Sequence, residues 1–560
     1  MTEHTISASG EATVDGVVAG RDDFKVLAAS SVGTIFEWFD FFLYGSLAVI
    51  LSRHFFAGVN ESTAFVLALL AFAAGFAVRP FGAVVFGFLG DLWGRKRTFL
   101  VTLSVMGIAT FAVGLLPTYS QIGPAAAWSL VLLRMMQGLS VGGVYGGAAV
   151  YVAEHVAPSK RGFYTSWIQT TATIGMALSL IVIFTTRTLL GEPTFVAWGW
   201  RIPFLMSSVL LAITIWIQLK LSESPVYLRM KASGRSSSRP WADAFGNWAN
   251  LRLILIALFG VMIGLAVIWY AAQFYVLFFM ERILKVDGAT TNLLVAAGLL
   301  IATPLFVFFG WLSDKIGRKP IVLAACLLAA LTYFPLFKTL TNAVNPDLAK
   351  AITNAPITVV ANPAECSFQF DPVGKATFAT SCDIARSYLT RSGVTYDVMD
   401  APAGSIAELR VGDKRLASFA GEQLPAKDLA AQRAAWEKEA AALVTSAGYP
   451  LGGVSTDKID IPLTLLVLVC LMIPATMVYG PSAALLAELF PAKVRYTSLS
   501  LPYHIGTGWF GGFLPTVAFA IVAATGDIYS GLWYPLVGAA VSFVAGLLVL
   551  PETKNGDIRA

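Results

Sequence analysis

Gly87-Phe88-Leu89-Gly90-Asp91-Leu92-Trp93-Gly94-Arg95-Lys96-Arg97 has a partner further along the chain: Gly310-Trp311-Leu312-Ser313-Asp314-Lys315-Ile316-Gly317-Arg318-Lys319-Pro320. Each copy lies between two long apolar runs. A charged, glycine-punctuated turn that recurs between membrane-length segments marks a duplicated chain built around a bilayer, and the rest of the sequence is placed relative to these two turns.

Composition agrees. The chain has 560 residues, 56% hydrophobic and 13% charged, where a soluble domain carries about 25% charged residues. Apolar stretches long enough to cross roughly 30 Å of hydrocarbon recur along it. Inside lipid every backbone polar group needs an internal partner, so the spans are helices or a closed barrel. The runs are continuous rather than alternating, which selects helices. Residues 1–22 are polar, without the apolar core of a signal peptide, and read as a disordered cytoplasmic tail. Four cysteines are too few for a disulfide scaffold. Cys326 and Cys470 fall in apolar spans, where simple packing accounts for them.

Twelve spans are expected, near 27–52, 63–88, 98–117, 126–152, 163–187, 200–220, 252–280, 290–312, 320–338, 461–481, 497–524 and 532–550. The chain then divides into a tail (1–22), an N-terminal six-helix half (23–220) and a polar, basic linker (221–250). The first part of the C-terminal half follows (251–340), then an insert (341–460), then the remainder of that half with its tail (461–560). Basic residues mark the cytoplasmic side. Arg95, Lys96 and Arg97, Lys160 and Arg161, the linker cations, Lys315, Arg318 and Lys319, and Lys493 and Arg495 all fall on one side, together with both termini. Arg187 and Arg201 are exceptions near outer helix ends. Parity puts the insert on the opposite, periplasmic face of a bacterial inner membrane. The insert holds 11 basic and 14 acidic residues, so the basic excess belongs to the membrane part. Within it Ile357–Val360 and Val394–Val398 read as strands and 425–446 as an amphipathic helix, together a small α/β domain. Cys366 and Cys382 would lie in an oxidising compartment, as a disulfide or as two thiols.

A second phrase is duplicated. Glu154 and Glu488 are each followed seven residues later by an arginine, Arg161 or Arg495, and then by an aromatic residue, Phe163 or Tyr496, that opens the next span. Cutting out the insert brings the two halves into register. Duplicated halves with a site at their midplane interface are a transporter signature. The Asp91 and Asp314 turns resemble the cytoplasmic signature of the major facilitator superfamily. Gly33 to Gly45, with Glu37-Trp38-Phe39-Asp40 inside it, resembles the first helix of its metabolite:proton symporter family. Arg134-Met135-Met136-Gln137-Gly138, Trp198 to Phe204, Tyr479-Gly480-Pro481, Glu488 to Thr497 and Pro551-Glu552-Thr553-Lys554 also fit. The resemblance implies an all-α membrane protein with twelve transmembrane helices in two pseudo-symmetric halves, carrying the small α/β insert outside. The long insert after the ninth helix resembles haloacid and short-chain acid permeases.

Charges inside spans are the first candidates for transport chemistry, because an unpartnered one costs at least a few kcal/mol. Glu37 and Asp40 share one helix face and could load a proton, or form a fixed ion pair with Arg79 or Arg134. Arg134 presents a planar fork for a carboxylate, or serves as structural partner to those acids. Related symporters often carry Glu where this chain has Val144, which puts the coupling burden on Glu37 and Asp40. Gly138, Gly142, Gly143, Gly146 and Gly147 form a packing face. Gln137, Tyr270, Gln273 and His504 are candidate substrate contacts. Gln169, Trp269, Tyr275 and Tyr503 are further in-span polar groups, though each alone is as well explained by packing.

Asp91, Arg95, Glu154, Arg161, Asp314, Arg318, Glu488 and Arg495 are expected to gate the cytoplasmic side by pairing across the halves; positive-inside topology alone explains the flanking cations but not the recurring Asp and Gly. The expectation is a monomeric alternating-access symporter, not an enzyme, that brings in a small organic anion, a short monocarboxylate or haloacid, with a proton. It needs no cofactor, metal or nucleic acid, and no phosphate loop of an ATP-driven pump is present in the sequence. A dicarboxylate, an aromatic acid or a zwitterionic osmolyte is the alternative substrate. A solute sensor using the insert is the alternative class.

Overall fold

The computed structural model describes residues 22–58, 61–220, 223–233, 237, 239–369, 377–554 and 556. The expected tail, 1–22, lies almost wholly outside them. Among the described residues twelve helices are long and apolar enough to cross a membrane: spans 1 to 6 are Ser30–Phe55, Ala73–Trp93, Arg95–Leu115, Ala125–His155, Pro158–Leu190 and Arg201–Leu219. Spans 7 to 12 are Trp248–Ile283, Gly288–Ile316, Arg318–Val344, Ile461–Leu489, Ala492–Thr525 and Ser530–Val549.

Most helices continue past the apolar stretch that announces them. Span 2 and span 8 carry their turn aspartates as the last helical turn, and spans 3 and 9 begin at once with Arg95 and Arg318. The single residue between them is glycine in both copies, Gly94 at φ +111° and Gly317 at φ +106°, a backbone conformation that costs glycine little and other residues much. The recurring glycine is therefore what allows two helices to abut with no loop. The linker region is not extended: it contains the short helices Pro225–Ala232 and Pro240–Phe245, and span 7 starts inside it at Trp248.

Small residues let helices touch backbone to backbone. A Cβ on Gly138 in span 4 would collide with the backbone of Gly75 in span 2, and one on Gly142 with the backbone of Arg79 and Gly82. Spans 2 and 4 consequently form the most extensive helix pair of the N-terminal half. Between the halves, span 2 packs on span 11 and span 5 on spans 8 and 10.

The insert folds as a four-stranded sheet in the order β2-β1-β3-β4, with β1 Ile357–Ala361, β2 Asp397–Asp400, β3 Glu408–Val411 and β4 Lys414–Ala417. β2 runs parallel to β1, and β3 antiparallel to it. Helices Ser381–Ser392 and Ala426–Ser446 cover one face. The second strand is displaced from the expected Val394–Val398, because Tyr396 leaves the sheet and bonds through its backbone N–H to the carbonyl of Gly526 (3.1 Å). Cys366 and Cys382 are joined by a disulfide, Cα atoms 5.3 Å apart.

The insert is fastened to the C-terminal half. Buried Arg386 donates to the carbonyl of Ala524 (2.6 Å), the Ile528 N–H reaches Thr395 Oγ1 (3.3 Å), and the Val454 N–H reaches the Lys285 carbonyl (3.0 Å). These bonds tie the ends of spans 7 and 11 to one small domain.

Candidate functional site

The two turn phrases close one face of the molecule, and they do so by exchange between halves. Asp91 on span 2 accepts from the N–H groups of Tyr496 (3.2 Å) and Thr497 (2.9 Å) and from the Thr497 hydroxyl (2.7 Å), all on span 11. Asp314 on span 8 accepts from the N–H groups of Gly162 (2.9 Å) and Phe163 (2.8 Å) on span 5. Each aspartate thus caps the first turn of a helix in the opposite half, where unpaired N–H groups and the helix dipole favour an anion. The turn glycines permit the approach. A Cβ on Gly87 would strike the backbone of Thr497, one on Gly90 the ring of Tyr496, and one on Gly310 the side chain of Ser166.

The Glu–Arg phrases are exchanged as well. Glu154 pairs with Arg495 (2.7 Å) rather than with Arg161, seven residues away, and Glu488 pairs with Arg161 (2.8 Å) and Arg318 (3.1 Å). Arg95 completes the first cluster, 3.4 Å from Asp91 and 3.8 Å from Glu154, and Arg318 lies 2.7 Å from Asp314. The four arginines are almost fully buried. Removing one member of such a buried pair costs on the order of 3–5 kcal/mol, because the partner charge is stranded.

Two residues finish the symmetry: Glu223, which no sequence motif marked, and Glu552, which the closing Pro551–Lys554 phrase contains without indicating a role. Glu223 accepts from the N–H groups of Arg95 and Lys96 (both 3.1 Å), and Glu552 from those of Arg318 (2.9 Å) and Lys319 (3.1 Å). Their neighbours Ser224 and Thr553 donate to Glu154 and Glu488. The signal was present as a third repeat, Glu223-Ser224 against Glu552-Thr553. It is only two residues long and stands out only once both ends of the half are aligned.

Midway through the spans a second constellation forms. Asp40, 4% exposed, accepts from Thr110 Oγ1 (2.9 Å) and Gln137 Nε2 (2.9 Å), and Arg134 Nη1 lies 3.4 Å away. Arg134 stacks its guanidinium 3.9 Å above the ring of Tyr44, a favourable cation–π contact. Thr110 was not a candidate: nothing in the sequence sets it apart from Thr98, Thr102 and Ser104 on the same apolar helix. Glu37, one turn earlier, shares the cavity with Asp40, Arg79, Arg134 and Gln137 but accepts no hydrogen bond among the described residues and keeps part of its surface open. The two acids therefore have different surroundings despite facing one way.

The cavity holds about 20 Å³, room for a single water molecule. Unpaired polar atoms gather around it: Nε and Nη2 of Arg134, Nε of Arg79 and Oε1 of Gln137 have no hydrogen-bond partner among the described residues. Buried polar atoms without partners are costly, and the three guanidinium nitrogens are donors on residues that line the cavity. Tyr270 approaches Arg79, close enough to hydrogen-bond it. His504 packs edge-on against Tyr503 (5.0 Å), with neither ring nitrogen bonded among the described residues. Gln273 stands apart from this group, its amide directed at the Met472 sulfur (2.9 Å). Among the described residues no set of three or more His, Cys, Asp or Glu side chains could hold a metal.

Comparison with known proteins follows the same lines. The family described as "Sugar (and other) transporter" matches residues 25–243. The glycine betaine/proline/ectoine/pipecolic acid transporter OusA of Dickeya dadantii is 34% identical over 323 residues, 56% of this chain and 64% of its own length. The match with this relative therefore spans a little under two thirds of it. The alpha-ketoglutarate permease of Escherichia coli is 32% identical over 366 residues, 64% of this chain and 81% of that permease. Among solved structures, the major facilitator superfamily proton:xylose symporter XylE bound to 6-bromo-6-deoxy-D-glucose superposes with a TM-score of 0.58 at 15% identity, covering 96% of this chain and 98% of that one. The partially occluded inward-open form of XylE from E. coli gives 0.56 at 15% identity, covering 95% and 98%. With twelve spans in two halves, cross-capped at duplicated turns, and these relatives, the chain belongs to the major facilitator superfamily.

Proposed function

We propose that this chain is a secondary transporter that takes up a small carboxylate-bearing solute together with a proton by alternating access, and that the solute is a zwitterionic osmolyte. The observation that carries the reading is the mid-span group: two carboxylates and two guanidinium groups around a small cavity, with donor atoms left unpaired among the described residues. Burying such charges is tolerated in a bilayer where they mark an ion or substrate path. Asp40 and Glu37 carry the proton, and Arg134 and Arg79 meet the carboxylate. The paired turns form the cytoplasmic gate, closed here, and the insert stands on the periplasmic side of a bacterial inner membrane.

The short-chain and haloacid substrate expected from the long insert gains no support from the relatives, whose names point to betaine, proline and other metabolites. The zwitterionic alternative fits them better. Because the cavity admits only water as it stands, any solute requires the halves to separate.

Proteoliposomes loaded to give an inside-alkaline pH gradient test the reading. Labelled glycine betaine or proline should accumulate and be lost when a protonophore is added. Accumulation that ignores the protonophore would sink the proton assignment. Uptake of 2-chloropropionate with no uptake of betaine or proline would return the substrate to the haloacid class.

A further inference from the structure

We propose that the central site contains an onium subsite: the positive group of the solute sits beside Glu37 against the rings of Trp269, Tyr145 and Tyr503, while its carboxylate takes the unpaired guanidinium donors of Arg79 and Arg134. This rests on the zwitterion reading above and adds to it where each end of the solute is held.

Three observations support it. The first is Glu37. A mid-span carboxylate with no hydrogen bond among the described residues and part of its surface open is a poor structural element and a ready partner for a cation. It lies within electrostatic reach of the Tyr145, Tyr270 and Tyr503 hydroxyls. The second is the arrangement of rings. Tyr145 of the N-terminal half stacks on Tyr503 of the C-terminal half with centroids 3.7 Å apart. Trp38 meets Trp269 across the same boundary at 6.0 Å, and Trp269 meets Tyr479 at 5.1 Å. Tyr145, Tyr503, Trp269 and Tyr479 are buried and Trp38 is half-buried, and the Trp269 Nε1–H has no acceptor among the described residues. The faces of Tyr145 and Tyr503 cover one another, whereas Trp269 meets Trp38 edge-on and Tyr479 at a tilt. A quaternary or secondary ammonium group entering between the halves would replace ring–ring contact with cation–π contact to both halves at once. The third is charge. With both acids ionised, Glu37, Asp40, Arg79 and Arg134 together are neutral, so a zwitterion preserves the balance. A simple carboxylate would add a third negative charge against two guanidinium groups and leave the cavity with a net charge, in surroundings where an unpaired charge is expensive.

The partition has a consequence for selectivity. A permanent positive charge should matter separately from size, because the rings supply an apolar wall for either kind of group but an attractive quadrupole only for the cation.

The test compares glycine betaine with 3,3-dimethylbutanoate, which has the same shape and carboxylate with carbon in place of the charged nitrogen. The full-length chain in proteoliposomes takes up labelled betaine while each compound competes. The expected result is half-maximal inhibition by the isostere at a concentration about 10-fold or more above that of unlabelled betaine. Trp269→Leu and Tyr145→Leu should narrow that ratio, whereas Trp269→Phe and Tyr145→Phe should largely keep it. The aromatic variants guard against a fold defect, and thermal unfolding of each variant in detergent reports on the leucine ones. Equal competition by betaine and isostere would overturn the subsite and leave the transporter reading intact. No betaine or proline uptake, alongside uptake of 2-chloropropionate or 2-oxoglutarate, would overturn the osmolyte reading and the subsite with it.

Discussion

Replacing Asp91 by Asn should loosen the closed turn face, and by an amount that can be worked out in advance. The aspartate receives three donors from span 11, at 3.2, 2.9 and 2.7 Å, and Arg95 stands 3.4 Å away. Asparagine keeps one acceptor oxygen. Its NH2 group turns a second acceptor into a donor facing other donors, and the negative charge that offsets Arg95 is gone. A hydrogen bond to a charged group contributes about 1.5–3 kcal/mol. Losing one such bond, with the others weakened from charged to neutral, removes roughly 2–4 kcal/mol from the closed state. Because all three donors belong to the other half, most of that loss falls on the closed state alone. At a factor of ten per 1.4 kcal/mol, the closed-to-open ratio should fall by about 30-fold to 1,000-fold.

Spin labels at exposed Lys160 and Lys315, one on each half of the turn face, would read the ratio by pulsed electron paramagnetic resonance, with Cys326 and Cys470 replaced. The native pair should give one dominant short distance, and Asp91→Asn a substantial longer population. Asp314→Asn, which loses two cross-half N–H donors and the charge beside Arg318, should act in the same direction. A distance distribution unchanged in both variants, and in Asp91→Ala, would refute the claim that these aspartates hold the halves together.

Other consequences are smaller in scope. Arg134→Lys exchanges a planar fork for a point charge and loses the stacking on Tyr44; uptake should drop by about tenfold or more, and a variant with unchanged half-saturation and maximal rate would remove Arg134 from the site. Glu154→Gln strands Arg495, whereas Glu154→Gln combined with Arg495→Met should recover part of the lost thermal stability; a double variant no more stable than the single would argue against a direct pair. Gly138→Val pushes a side chain into the Gly75 backbone and should destabilise the N-terminal half by about 1–3 kcal/mol or more, visible as poor yield or a lowered unfolding temperature. Removing the Cys366–Cys382 bridge, which closes a separation of 16 residues, should cost the insert about 3 kcal/mol, seen as faster proteolysis within the insert; proteolysis at the native rate would mean that its fold does not depend on the bridge.

Much of the architecture was legible in the chain because it rests on local quantities. Span length follows from consecutive apolar residues, and the duplication from two turn phrases and a Glu–Arg spacing. The insert shows itself as the one long interruption of that register. Helix ends were read short at the charged turns, since hydropathy marks where a helix meets hydrocarbon and not where its hydrogen bonds stop. Val394–Tyr396 looked like a strand by composition, yet the domain uses that segment to fasten itself to the carbonyl of Gly526. Helical spacing gave Glu37 and Asp40 a common direction but no means of telling them apart.

That distinction belongs to the tertiary structure. Thr110 and Gln137 reach Asp40 from positions 70 and 97 residues distant, while Glu37 is left open to the cavity, and no local pattern encodes which acid receives the donors. The same holds for the turn face. The repeated Glu–Arg phrases led to an expectation of pairing across the halves without naming which partners meet; Glu154 pairs with Arg495 across 341 residues and Arg161 with Glu488 across 327. Sequence determined the parts and their duplication, because those depend on neighbours in the chain. Only the packing of one half against the other decided the partners, because a buried charge is satisfied by whatever donor the opposing helix brings within about 3 Å.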